Sequence, residues 1–169
     1  WNADTRQLTF ITKALGDHTR QLPALLQPDM AVTVEGPYGR FNFEDDQPRQ
    51  IWVGAGIGIT PFVARMKQLA ASGARDVQID LFHPTAQSDD SALAKLQADA
   101  RAAGIRLHVL VDARDGHLDG ERIRRAVPRW QEASVWFCGP VPFGQALRAD
   151  MAASGLPRSA FHQELFHMR

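Results

Sequence analysis

The sequence predicts an α/β fold, a doubly wound parallel sheet of five strands in the order 3-2-1-4-5, preceded by a small β segment. Three observations lead to this prediction. From Ile51 onward, short apolar runs alternate with helical stretches, as expected for parallel strands joined by crossover helices. A glycine-rich turn at 54–58 follows the first apolar run, as it does at the first strand-to-helix turn of such folds. The first fifty residues lack the alternation and are predicted to belong to a different unit.

The individual elements follow from composition and spacing. The apolar runs predict strands at 51–53, 77–82, 105–111, 135–138 and 161–166, and the stretches between them predict helices at 61–71, 91–102, 118–127 and 142–153. In the first of these helices, Phe62, Met66 and Leu69 share one face. Gly104 and Gly155 follow two of the helices as stop signals. Right-handed crossovers between five such strands put helices on both faces of the sheet.

The first part of the chain contains β-like segments at 8–13 and 31–35 around a helical stretch at 19–26. Two strands cannot build an independent core, so we expect this part to be the end of a neighbouring β domain. The polar stretch 44–48, which ends in Pro48, is typical of a linker. The predicted domains are therefore 1–49 and 50–169.

Charge and cysteine content exclude several classes of protein. The 169 residues include 19 Lys and Arg and 19 Asp and Glu, with no block of like charge, so no nucleic-acid-binding surface is expected. The longest uncharged stretches contain Gly and Pro and fall short of the about 18 apolar residues of a membrane span. The one cysteine, Cys138, excludes an internal disulfide, and the six histidines lack metal-ligand spacing. An arginine cluster, which favours a solvated helix face over a phosphate or partner site, comprises Arg122, Arg124, Arg125 and Arg129.

The motif with the clearest chemical meaning is GAGIGITP, at 54–61, between the first strand and the first helix. Glycines let a backbone approach a ligand closely, and the N-terminus of a helix attracts phosphate. A dinucleotide pyrophosphate fits such a turn. The spacing GxGxG differs from the GxGxxG fingerprint, and no P-loop lysine follows, so a tight turn without a ligand is the alternative.

A second motif, FCGP at 137–140, falls at the end of the predicted fourth strand. Ligands of open α/β sheets bind outside the carboxyl ends of the strands, near the switch in strand order, and strands one and four flank that switch. Both motifs are therefore expected to face one crevice. Cys138 at this position is interpreted either as a small buried residue or as a working thiol.

Four motifs together resemble the ferredoxin reductase superfamily, nearest its bacterial ferric reductase-like branch. They are GPYGRF at 36–41, GAGIGITP at 54–61, FCGP at 137–140 and HQELF at 162–166, in the family's order and spacing. The resemblance covers nearly the whole chain. It implies a flavin-binding β-barrel, of which 1–49 is the C-terminal part, followed by an NAD(P)H-binding domain. It also implies an enzyme that passes hydride from NADH or NADPH to FAD and electrons on to an acceptor such as ferric iron or haem.

The resemblance also assigns residues. Catalytic roles fall to Cys138 beside the hydride-donating carbon, to Glu164 near the redox centre and to Phe166 over the flavin ring. The residues implied for dinucleotide binding are Gly56, Gly58, Ile59, Thr60, Pro61, Cys138, Gly139 and Pro140. Those implied near the flavin are Gly16, Thr19, Gly36, Pro37, Tyr38 and Gly39. Thr19 is equally explained as an N-terminal helix residue.

The sequence departs from the family in two places. The flavin motif, an Arg, an aromatic residue and Ser or Thr, is missing before Trp1, so we expect this chain alone to transfer no hydride. After the second strand there is neither a basic cluster for a 2′-phosphate nor a clear ribose-binding acid, since Asp80 lies within the strand. NADH and NADPH both remain candidates, with NADH favoured.

The resemblance implies three partners, namely a nicotinamide dinucleotide, the flavin domain and a membrane haem domain of the same parent chain. That arrangement would put this domain on the cytoplasmic side of a membrane. Two alternatives stay open, a reductase module of an oxygenase system and a dinucleotide-sensing module without catalysis.

Overall fold

The computed structural model describes residues 6–14, 16–36, 39, 41–73, 77–87 and 89–166, with Leu165 and Phe166 described by their backbone alone. The chain divides into two compact units, Trp1–Arg40 and Phe41–Arg169. The second unit carries the sheet. Apart from one short helix, its α-helices and strands in the described residues lie close to the predicted positions, and so does the helix at 17–25 in the first unit.

Five parallel strands form one sheet in the order β3-β2-β1-β4-β5, which confirms the predicted topology. The strands are β1 (Arg49–Gly54), β2 (Gln78–Thr85), β3 (Arg106–Val111), β4 (Ala133–Pro140) and β5 (Phe161–Phe166). The central strand β1 is buried on both faces, and Ile51, Trp52 and Val53 have no exposed surface. A strand buried on both faces accounts for the continuous apolar run at 51–53.

Six α-helices occur in the described residues. They are α1 (Asp17–Leu25), α2 (Thr60–Ser72), α3 (Asp90–Ala103), α4 (Asp112–Asp115), α5 (Gly120–Ala126) and α6 (Val141–Ala153). The helix α3 begins at the Asp89 carboxylate, which accepts a hydrogen bond from the Ala92 N–H, and ends at Gly104 with φ of 71°. The short helix α4 has no counterpart among the predicted elements. None of the helices in the described ranges is long and apolar enough to cross a membrane.

Helices cover both faces of the sheet, as a doubly wound fold requires. On one face Phe62 and Met66 of α2 and Leu96 of α3 pack against Trp52 and Trp136. The other face carries the second core cluster, which joins β1, β2 and β4 to α5 and α6 through Val53, Phe82, Phe137, Ile123 and Met151. In the described residues both faces of the sheet are therefore covered by helices, and the ends of the strands stay open to a ligand.

In the first unit, the segments predicted as strands at 8–13 and 31–35 are not strands in the structure, and the described residues there form one isolated bridge at Gln7. A strand needs a ladder partner as well as an alternating sequence. Apolar side chains of these segments are exposed, with Phe10 at 67% and Val32 at 69%. The assignment of this unit to a flavin-binding barrel stays a prediction.

Residues 41–48 pack with the α/β unit instead of forming the predicted linker. Phe43 is buried and lies 4.9 Å from Trp52 and 5.2 Å from Trp136, measured between ring centroids. The Asp45 carboxylate accepts hydrogen bonds from Trp136 Nε1 at 3.2 Å and Gln50 Nε2 at 3.4 Å. The second unit therefore begins at Phe41, nine residues before the predicted boundary.

Candidate functional site

The two motifs at the carboxyl edge of the sheet lie on adjacent strands. In the strand register Gly54 of β1 is opposite Cys138 of β4, and Cys138 is opposite Glu164 of β5. One residue from each of three sequence motifs therefore stands side by side with the others at one edge. This is the edge at which open α/β sheets bind ligands.

The turn after β1 is fixed by backbone hydrogen bonds. The Ala55 N–H donates to the Cys138 carbonyl at 3.0 Å, and the Gly58 N–H donates to the Ala55 carbonyl at 3.0 Å. A 3₁₀ turn, Gly56–Ile59, leads directly into α2. At the start of α2 the Thr60 hydroxyl donates to the Ile57 carbonyl at 2.8 Å, and its lone pairs can still accept from a ligand.

The glycines of the two motifs are favoured at their positions for different physical reasons, close packing for some and a left-handed backbone for another. A Cβ on Gly58 would lie 2.1 Å from the Cys138 carbonyl oxygen, and one on Gly139 would lie 2.8 Å from the Ala55 Cβ. The turn and the end of β4 thus pack backbone against backbone. Gly56 has a φ of +55°, and a Cβ added there would meet no atom within 4 Å. Its backbone conformation therefore favours glycine, while its Cα faces open space.

His83 lies near the carboxyl end of β2 and is one of the six histidines that lack metal-ligand spacing in the sequence. Its Nδ1 lies 2.8 Å from the Gly54 carbonyl oxygen, and the side chain is buried. Burial lowers the pKa of His83, and the bond to the Gly54 carbonyl opposes that shift. The signal in the sequence was its position, directly after the apolar run of the strand next to the glycine turn.

Cys138 is a buried thiol with 7% of its surface exposed. Burial, together with the negative charge of Glu164, raises the pKa of Cys138 to about 11. The Glu164 Oε1 accepts a hydrogen bond from the Phe41 N–H at 3.1 Å. Cys138 therefore stays protonated near neutral pH, and of the two interpretations the structure favours the small buried residue over the working thiol.

The other predicted site residues lie partly outside the described residues or have local structural roles. The backbone of Phe166 pairs with Pro140, and its side chain lies outside the described part. Pro37 and Tyr38 also lie outside the described residues. In the first unit the Thr19 hydroxyl accepts from the Gly16 N–H and donates to the Gly16 carbonyl, both at 3.0 Å. It thereby closes the N-terminus of α1. Two further residues of that unit, Gly36 and Gly39, have φ of 139° and 112°.

Asp80 and the arginine cluster at 122–129 both have hydrogen-bond or ion-pair partners within the protein. The Asp80 carboxylate is buried and lies 2.8 Å from His108 Nε2 and 3.4 Å from Arg106, so it is not available to a ribose. Each arginine of the 122–129 cluster has a protein acceptor: Arg122 the carbonyls of Gly116 and His117, Arg124 the carboxylate of Asp150, Arg125 that of Glu121 and Arg129 that of Glu132. The described residues contain no group of three or more side chains that could hold a metal ion.

A cleft of about 730 Å³ lies at the opposite edge of the sheet, among the amino ends of β1, β2 and β3. Phe43, Arg65 and Ile105 are among the residues that line it. It is remote from the glycine turn, and ligands of open α/β sheets bind at the carboxyl ends of the strands. We therefore assign the candidate site to the carboxyl edge.

Comparison with known proteins places this geometry in a family. No family model matches the chain. An NADPH oxidoreductase of Mycobacterium tuberculosis is 34% identical over 148 residues, which are 82% of this chain and 38% of that protein. The reductase subunit of a stachydrine N-demethylase from Rhizobium meliloti is 29% identical, and the match covers 94% of this chain and 49% of that subunit. The chain belongs to the ferredoxin reductase superfamily.

Solved structures agree with this superfamily assignment. The cytochrome P450 reductase of Amycolatopsis superposes with a TM-score of 0.61 at 25% identity, over 78% of this chain and 42% of that one. The FAD/NAD-binding domain of a nitric oxide dioxygenase from Vibrio cholerae gives a TM-score of 0.61 at 20% identity, over 78% and 55%, and shows the shared fold. The superfamily member described here spans less than half the length of the curated relatives above.

Proposed function

We propose that this chain is the nicotinamide-dinucleotide-binding part of a flavin-dependent oxidoreductase. The observation that carries the proposal is the backbone packing of the glycine turn against Cys138 at the carboxyl edge, beside Glu164. The relatives, which include an NADPH oxidoreductase and an NADH-cytochrome b5 reductase, support the same cofactor class. FAD, when bound, would accept the hydride of NAD(P)H and release electrons to an acceptor.

The residues of the turn suit a pyrophosphate. Gly56 faces open space at the start of the 3₁₀ turn that leads into α2, and the positive dipole end of a helix attracts phosphate oxygens. At the start of α2 the Thr60 N–H donates to the Ile57 carbonyl and Pro61 has no N–H, so N–H groups of the preceding turn would make the contacts. The Thr60 hydroxyl already donates to the Ile57 carbonyl, so it would accept from a donor elsewhere on the dinucleotide, such as a ribose hydroxyl, and not from the pyrophosphate. The two motifs themselves carry no charged side chain, so backbone groups would provide most of the contacts.

The end of β4 suits the nicotinamide. The protonated Cys138 thiol, Gly139 and Pro140 would form an uncharged wall there, which keeps water away from the reacting carbon without offering a competing nucleophile. Glu164, held by the Phe41 N–H, would face the same region with a negative charge that favours the positively charged oxidised nicotinamide.

The acceptor is the finer part of the proposal. The resemblance in sequence favours ferric iron or haem, as in ferric reductase-like proteins. The curated relatives favour an oxygenase partner, because they include reductase subunits of glycine betaine monooxygenase and stachydrine N-demethylase systems. We therefore propose electron delivery to an oxygenase component first and ferric reduction second.

The binding part can be tested with ¹⁵N-labelled protein titrated with NADH and, separately, with NADPH. The amide signals of Gly56, Ile57, Gly58 and Gly139 are expected to shift in a saturable way. Shifts confined to other regions, or none with either dinucleotide at millimolar concentration, would contradict the proposal.

The redox part needs a longer chain that includes a complete flavin domain. Stopped-flow absorbance should show bleaching of the flavin by NADH or NADPH. Reoxidation by ferric citrate and by an oxygenase iron–sulfur component can then be compared in the same protein. Fast reoxidation by ferric citrate alone would reverse our ranking of the acceptors.

A further inference from the structure

His83 lies where the sheet opens beside the glycine turn. The ladder between β1 and β2 ends at the pair Val53 and Phe82, whereas the ladder between β1 and β4 continues to Gly54 and Cys138. Gly54 therefore has a strand partner on the β4 side only. The pair that would come next toward β2 is Gly54 with His83.

The His83 side chain takes the position of the missing ladder bond. Its Nδ1 lies 2.8 Å from the Gly54 carbonyl oxygen, at a buried position. A carbonyl oxygen only accepts, so Nδ1 carries the proton. Without this donor the Gly54 carbonyl would be left in a buried environment, and an unpaired buried acceptor is costly.

The peptide groups at the root of the turn are thus held from both sides. The Gly54 carbonyl is bonded to His83 on the β2 side, and the next N–H, that of Ala55, is bonded to the Cys138 carbonyl on the β4 side. Gly54 itself is packed closely against the start of α2, because a Cβ there would lie 2.8 Å from the Ile59 Cα. The direction in which the turn leaves the sheet depends on these two bonds.

We infer that His83 is a positioning residue for dinucleotide binding, which sets the orientation of the Gly54–Ala55 peptide and through it the glycine turn. This inference rests on the proposed function. His83 acts through the backbone and is not assigned a contact with the ligand. This role accounts for a buried histidine near the carboxyl end of β2, directly after the apolar residues Leu81 and Phe82.

The test uses a matched pair of substitutions. In His83→Asn the side-chain amide nitrogen occupies about the position of Nδ1 and can still donate to Gly54. In His83→Gln the amide lies near the position of Nε2 and cannot make the same bond without moving. Both variants are polar, so a difference between them reports on the bond and not on polarity.

Affinity for the dinucleotide that binds wild-type protein is measured by NMR titration or calorimetry, with thermal unfolding as a check on the fold. We expect the Asn variant to bind within about threefold of wild type and the Gln variant to bind about tenfold more weakly, the range of one hydrogen bond. In the absence of ligand, the Ala55 and Gly56 amides should exchange faster in the Gln variant. His108→Asn serves as the control, since His108 bonds to Asp80 away from the turn, and should leave affinity unchanged.

The results of these titrations distinguish a failure of the proposed function from a failure of the role assigned to His83. If wild-type protein binds neither NADH nor NADPH, the proposed function fails and the inference that rests on it fails too. If wild-type protein binds and both His83 variants bind equally well, or equally poorly, the inference alone is overturned. A Gln variant as weak as expected beside an Asn variant near wild type supports it.

Discussion

The contact between Gly58 and the end of β4 gives the sharpest test of the site's architecture. In Gly58→Ala the new Cβ would lie 2.1 Å from the Cys138 carbonyl oxygen and 2.6 Å from its carbon. Ordinary van der Waals contact begins at 3.4 Å. The obstacle is backbone on both sides, so no side-chain rotation can relieve it, and the turn or the end of β4 must move.

The cost can be estimated from the structure. Overpacking of this kind destabilises proteins by about 1–3 kcal/mol, and the rigidity of both partners puts Gly58→Ala at the upper end. Alanine recovers about 0.5 kcal/mol by restricting the unfolded chain, because Gly58 has no left-handed backbone to oppose it. The net loss is then about 2.5 kcal/mol, or a fall in Tm of roughly 5–10 °C for a chain of this size.

Urea denaturation followed by circular dichroism measures this loss. Gly56→Ala is the matched control in the same turn, because it meets no atom within 4 Å and costs only the strain of its φ of +55°, about 1 kcal/mol. If Gly58→Ala proved as stable as wild type, or more stable than Gly56→Ala, the close packing of the turn on β4 would be refuted. Dinucleotide affinity should fall in Gly58→Ala through displacement of the turn.

Three further predictions concern single groups. Because the pKa of Cys138 is raised to about 11 and the thiol is buried, iodoacetamide should alkylate it at pH 8 far more slowly than it alkylates the urea-unfolded chain, and equal rates would contradict the burial. Because the pKa of His83 is lowered from 6.5 in the folded state, the unfolded chain binds more protons. The free energy of unfolding should therefore fall as the pH drops below about 6.5. Urea titrations at pH 5 and pH 7 should give a smaller fall in His83→Asn, and an equal fall would assign it to other groups. Phe43→Ala should cost about 3–4 kcal/mol, because the ring is buried among Trp52, Phe62 and Trp136; a loss under about 1 kcal/mol in urea would mean that 41–48 does not belong to the α/β core.

The sheet and its order could be predicted because the strands of the α/β unit have local signatures. The run Ile51–Val53 is apolar on both faces, and Gly104 supplies a left-handed helix end, so sequence pattern and structure agree there. The carboxyl edge as the site followed from the same topology, since strands β1 and β4 must lie side by side when the order reverses between them.

Other features depend on contacts that no local pattern reveals. The stretch around Asp45 has the composition of a linker, yet its carboxylate accepts hydrogen bonds from Trp136 and Gln50, and only the fold brings Trp136 to it. Apolar and polar residues alternate at 8–13 in the sequence, but this segment forms no strand ladder in the described residues. The sequence predicts that Gly58 is a glycine because a ligand approaches it, whereas in the structure the Cys138 carbonyl also leaves no room for a side chain there.

The hydrogen bond from Ala55 to Cys138 joins the first strand of the α/β unit to its fourth. During synthesis from the N-terminus, the glycine turn emerges from the ribosome long before the strand that anchors it. The strand β1 pairs with β2 on one side, but the hydrogen bond that fixes the turn needs β4 on the other side of β1. A chain that ended before β4 would therefore contain the glycine motif without the carbonyl that anchors it.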